Sequence, residues 1–252
     1  MSMPPPTEIL IGKDMPEATA FAAEQVVRAL ATPNRNRSVA LAGGSTPRAL
    51  YTSLASPPWK TCVDWQGIEW FWGDERAVPP NHPDSNYRMA RETLLDALAV
   101  DPTHIHRMAA ETVDLPAAAH DYETTIRHLV PANAQGTPTF DLILLGIGGD
   151  GHTASLFPGS VGLTERARLV VAHEIPSLRS RRMTLTFPLL RAARNILFFV
   201  TGAAKADILA QIHAADADPL RLPAAGLRTT AGRTIWVLDA DAARLVQSVI
   251  RP

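Results

Sequence analysis

His152 follows a run that packs four glycines into six residues, Gly146-Ile147-Gly148-Gly149-Asp150-Gly151. An imidazole titrates near neutrality, so it can take a proton and return it. Asp150, two residues earlier, supplies a carboxylate that could orient a neighbouring group. Most histidines are structural, but this one stands at the end of a glycine turn fed by an apolar run, Leu142 to Leu145. A buried strand that empties into such a turn is how α/β proteins place a reactive group at the carboxyl edge of a sheet.

Two further polar clusters have the same setting. Gly43-Gly44-Ser45-Thr46 has the parts of a phosphate cradle: glycines that admit an anion to backbone amides, two hydroxyls, and a helix start with its partial positive charge. An ordinary capped turn reads equally well, with Thr46 as N-cap and Pro47 at the first helical position. Gly73-Asp74-Glu75-Arg76 offers carboxylates and a guanidinium able to stabilise developing negative charge, or else a solvated charged turn. Arg179, Arg181, Arg182 and Lys205 are the remaining cations near strand or helix starts.

Several sharper readings fail. Gly146-x-Gly148-x-x-Gly151 matches the dinucleotide fingerprint letter for letter, but Pro158-Gly159 interrupts where that fingerprint needs a long helix. No G-x-S-x-G elbow is present, so a hydrolase built on these residues would activate water rather than form an acyl-enzyme. His104 and His106 have no further metal ligands nearby in the sequence and read as surface residues. Cys62 is the single cysteine; it excludes an internal disulfide and reads as a small core residue.

The elements that must position these groups alternate. Helical spacing covers Glu17 to Leu30, closed by Thr32-Pro33-Asn34. Strands are expected at Ser38–Ala42, Ile68–Trp72, Asp141–Leu145, Arg182–Phe187, Ile196–Val200 and Thr234–Leu238. Helices are expected from about Tyr87 to Leu98, Leu115 to Leu129, Lys205 to Ile212 and Ala242 to Ile250. Strand-helix alternation implies parallel pairing and an α/β fold, in which loops after distant strands share one edge.

The chain of 252 residues is 46% hydrophobic and 19% charged, enough for a sizeable core. A net charge of -1 argues against a nucleic-acid partner, and no run is long enough for a membrane span. With no signal-peptide pattern, a cytoplasmic protein is the expectation. Residues 1–7 read as a mobile tail and 8–252 as one α/β unit, a monomer or weak homodimer.

Taken together, Ala42-Gly43-Gly44-Ser45-Thr46-Pro47, Gly73-Asp74-Glu75-Arg76 with His82 and Ser85-Asn86-Tyr87, and Gly146 through Gly159 resemble the 6-phosphogluconolactonase family. Arg182 to Thr186 and Gly202 to Ala206 resemble it too; Leu227-Arg228-Thr229-Thr230 departs from it, where the family often has a proline. The related glucosamine-6-phosphate deaminases share the G-x-G-x-D-G-H core but continue differently from Ala154-Ser155-Leu156-Phe157-Pro158 and carry a glutamate that is missing here.

The resemblance implies a modified Rossmann-type parallel sheet flanked by helices, as in those deaminases and ribose-5-phosphate isomerase. It implies hydrolysis of a phosphosugar lactone, 6-phospho-D-glucono-1,5-lactone, with no metal or organic cofactor. On that footing His152 is the expected general base, Arg76 stabilises the oxyanion, and Asp150 holds Arg76. Gly43, Gly44, Ser45, Thr46, Asp74, Arg182 and Lys205 bind substrate. A deaminase or isomerase of the same fold, or a non-catalytic sugar-phosphate sensor, are the alternatives.

Overall fold

A computed structural model describes residues 7–31 and 37–246. Met1 to Pro6, the segment Thr32-Pro33-Asn34 and the last four positions of the helix expected to reach Ile250 lie outside the described residues.

Among the described residues nine strands form two sheets. The strands are β1 Thr7–Gly12, β2 Arg37–Leu41, β3 Ile68–Trp72, β4 Asp74–Arg76, β5 Leu142–Leu145, β6 Val170–Ile175, β7 Ser180–Leu185, β8 Asn195–Val200 and β9 Arg233–Asp239. The main sheet runs β1-β9-β8-β5-β2-β3 and every pair in it is parallel. The second sheet, β4-β7-β6, is antiparallel. The helices are α1 Met15–Leu30, α2 Ser45–Leu54, α3 Asn86–Ala90, α4 Leu115–Leu129, α5 Val161–Thr164, α6 Phe187–Arg191, α7 Ala206–His213 and α8 Ala240–Ala243.

The central strands are apolar on both faces because alternate side chains feed two cores. Ala40, Phe71, Ile143, Phe198 and Trp236 join one core with Tyr122 and Ile126 of α4 and Leu209 of α7. Val39, Leu41, Trp70, Trp72, Leu142 and Leu197 join the other with Ala22 and Val26 of α1 and Leu50 of α2.

Parallel pairing brings the carboxyl ends of β8, β5, β2 and β3 to one edge. From β2 the chain steps to β3 on one side and later to β5 on the other. A crevice opens at such a reversal of strand order. Two buried tyrosines fix the rim. Tyr51 of α2 accepts from the Ala42 N–H at 2.9 Å and donates to its carbonyl at 2.8 Å. Tyr122 does the same for Trp72, at 2.8 and 3.3 Å. Burial pushes both phenols far above their ordinary range, so they stay neutral donors.

The structure departs from the sequence reading in several places. Gly73 to Arg76 is not a solvated turn. Asp74–Arg76 forms β4, which pairs with β7 in the second sheet. The helix expected to run from Tyr87 to Leu98 is α3 followed by a π-helical segment, Arg91–Leu95. Thr46 is not an N-cap: α2 starts at Ser45, after Gly44 at φ 105. Cys62 is exposed rather than buried. Among the described residues no helix is long and apolar enough to cross a membrane.

Candidate active site

A cavity of about 390 Å³ opens at the edge where these strands end. Gly43, Gly44, Ser45, Thr46, Asp74, Arg76, His152, Arg182 and Lys205 all line it, although they come from five separate stretches of chain.

His152 sits on a loop that closes on itself. The Gly148 N–H donates to the His152 carbonyl at 2.9 Å, and the Thr153 hydroxyl donates to the Gly146 carbonyl at 2.8 Å. The ring stacks on Phe157 with centroids 4.0 Å apart. Its Nδ1 lies 2.6 Å from Asp150 Oδ1. A carboxylate only accepts, so this contact puts the proton on Nδ1 and leaves Nε2 as the basic nitrogen. Gly148 is required by space: a Cβ there would lie 2.1 Å from His152 Nδ1 and 2.6 Å from Asp150 Oδ1.

This geometry corrects one expectation. Asp150 does not hold Arg76; it holds His152. Arg76 is fixed instead by donating from Nη1 to the Asp84 carbonyl at 2.6 Å. A backbone acceptor eight residues along the chain carries no signal in side-chain composition.

Arg76 and Arg182 are register partners across β4 and β7. The Nε of each is enclosed without a partner. Burial, then the nearby charge of Arg76, lowers the pKa of Arg182. Two like charges side by side, partly stripped of water, attract an anion.

The turn after β2 has the matching character. No side chain caps α2, so its first N–H groups are left to an incoming anion. The Thr46 hydroxyl lies 3.2 Å from that of Thr201, which joins the turn to the end of β8. Beyond Thr201, Lys205 Nζ donates to the Ile147 carbonyl at 2.8 Å. That bond holds the ammonium beside the glycine loop.

Asp74 faces the cavity, yet its carboxylate is already engaged. Oδ2 accepts from the Ser155 hydroxyl at 2.6 Å and Oδ1 from the Asn86 amide at 3.1 Å. It ties the His152 loop to the start of α3, which makes it a holder of the site more than a grip on substrate. Glu75 beside it anchors the same helix start. It accepts from the N–H groups of Asn86 and Tyr87, both at 2.8 Å, and from the Ser85 hydroxyl at 3.0 Å. Burial raises the pKa of Glu75, against the lowering effect of those backbone N–H groups.

Ser155, Asn86, Phe157 and Leu178 also line the cavity and were given no role from sequence. Ser155 and Asn86 lie inside two of the motifs quoted above, which was the only available signal. His104 and His106 are not plain surface residues: they clasp the two oxygens of Glu69, at 2.9 and 2.6 Å, away from the cavity.

Comparison with known proteins identifies the family. Residues 13–236 match the family described as glucosamine-6-phosphate isomerases/6-phosphogluconolactonase. The 6-phosphogluconolactonase of Synechocystis sp. is 39% identical over 242 residues, covering 95% of this chain and 98% of the relative. That of Streptomyces coelicolor is 34% identical over 255 residues, covering 97% of each. The solved 6-phosphogluconolactonase of Trypanosoma brucei superposes with a TM-score of 0.83 at 29% identity, covering 95% of this chain and 98% of that one.

Proposed function

The chain belongs to the glucosamine-6-phosphate isomerase/6-phosphogluconolactonase family, and from that premise we propose that it hydrolyses 6-phospho-D-glucono-1,5-lactone to 6-phospho-D-gluconate, the lactone-opening step of the oxidative pentose phosphate pathway. The observation that carries the reading is His152, its Nδ1 held by Asp150, facing the same cavity as the uncapped Gly43–Thr46 turn.

In this mechanism the substrate phosphate rests on the turn, with Arg182 and Lys205 as its cationic partners. A water stands between His152 Nε2 and the lactone carbonyl carbon. As its oxygen bonds to that carbon, Nε2 takes one of its protons. Asp150, on the other ring nitrogen, stabilises the imidazolium. The carbonyl oxygen becomes an oxyanion, and Arg76 with nearby backbone N–H groups offsets its charge. When the tetrahedral intermediate collapses, the bond from the carbonyl carbon to the ring oxygen breaks. Nε2 returns its proton to that oxygen, and one water has been added overall.

The test is freshly generated lactone, followed against an enzyme-free blank because lactones also open unaided. Turnover well above the blank is expected, together with no ammonia release from glucosamine 6-phosphate. Ammonia release without lactone turnover would replace this reading by the deaminase one.

A further inference from the structure

Asn86 is buried, lines the cavity, and is the first residue of α3. Its side-chain nitrogen donates twice to Asp74, to the backbone carbonyl at 2.9 Å and to Oδ1 at 3.1 Å. Two acceptors identify that atom as the nitrogen, so the amide oxygen faces the other way. There it meets Gly43. A Cβ built on Gly43 would lie 1.8 Å from Asn86 Oδ1, and its next two neighbours, Cγ at 2.4 Å and Nδ2 at 2.8 Å, belong to the same side chain.

Gly43 is not among the glycines with positive φ. Closeness to Asn86, not an unusual backbone angle, is what asks for glycine here. Oδ1 is enclosed and accepts no hydrogen bond. Folds seldom leave a buried carbonyl oxygen in that state, because its lost hydration goes uncompensated. The contact that replaces a donor is the Gly43 backbone itself, a weak C–H···O approach at best.

We propose that Asn86 is a positioning residue for the phosphate-binding turn: its amide, clamped by Asp74, sets how closely the Gly43–Gly44 backbone stands to the sheet that carries Arg76 and Arg182. This rests on the preceding reading that the turn takes the substrate phosphate. Asp74 is thereby linked to both halves of the site, to the His152 loop through Ser155 and to the turn through Asn86. Removing the Asn86 amide leaves the His152–Asp150 pair intact but lets the turn relax.

The expected signature is a split between binding and turnover. In Asn86→Ala, KM for the lactone rises about tenfold while kcat stays within about threefold, since uniform binding is lost and not a transition-state contact. The inhibition constant of inorganic phosphate rises by the same factor. A fall in kcat with KM and phosphate inhibition unchanged would overturn the proposal.

The contact itself is tested by a double-mutant cycle. Gly43→Ala should cost about a hundredfold in kcat/KM alone, but under about tenfold when combined with Asn86→Ala, because the methyl group then has room. Equal losses in both backgrounds would also overturn it. If Asn86→Ala fails to fold, Asn86→Ser takes its place in each arm. Should the wild type leave the lactone unhydrolysed, the function reading falls separately, and the Kd of inorganic phosphate, measured by calorimetry on the same variants, decides this proposal.

Discussion

The loop that carries His152 and the clamp built on Asp74 meet in one cavity, but they are held by different means. The loop is local. Its bonds from Gly148 to His152 and from His152 to Asp150 span only a few residues, and the His152 and Asp150 side chains keep 28% and 49% of their surface exposed. The clamp is assembled by the fold. Asp74 collects Ser155 from 81 residues away and Asn86 from 12 away, and all three are buried. The proton-transfer groups can therefore be altered with little effect on folding, whereas the framework that aims them cannot.

The contrast is sharpest in His152→Ala. Turnover should fall by about 10²–10⁴, measured as blank-corrected kcat, while the melting temperature stays near that of the wild type. A large drop in melting temperature would erase the distinction. Asp74→Ala should act on stability as well. It strands the Ser155 hydroxyl and an Asn86 N–H in the interior, at a cost of about 3 kcal/mol in stability, read from the urea midpoint.

Gly148→Ala tests the loop while leaving its titratable residues in the sequence. The added methyl would press on His152 Nδ1 and Asp150 Oδ1, and a displaced base should lower kcat by roughly tenfold to a hundredfold with the fold retained.

The smallest effect concerns a histidine outside the site. His213, at the end of α7, packs edge-on against Trp236. Burial first, then the charge of Arg228, lowers its pKa from the ordinary 6.5 to about 4. The unfolded chain thus takes up a proton before the folded one does, so stability falls as pH drops from about 6.5 to about 4. The loss should reach about 2 kcal/mol by about pH 5, and His213→Gln should flatten that part of the stability–pH curve.

The same contrast explains what the sequence made legible. The path from strand to glycine turn to His152 is written in consecutive residues, and so is the turn after β2. The parallel sheet followed from strand–helix alternation. The second sheet did not: β4 has three residues, too few for any periodicity, and β6 (Val170–Ile175) was missed. The Asp150 partner was misassigned because Arg76 is satisfied by a backbone carbonyl, to which side-chain types give no clue. Thr46 looked like a cap, but Gly44 already fills that position and its left-handed φ starts the helix two residues sooner. The clamp partners Ser155 and Asn86 acquire meaning only once the strands are paired.

The most direct measurement is a crystal structure with 6-phosphogluconate bound. The account predicts the phosphate on the Gly43–Thr46 turn and the carboxylate carbon facing His152, with one carboxylate oxygen about 3 Å from Nε2. A phosphate bound away from that turn, or a carboxylate end directed away from His152, would contradict it.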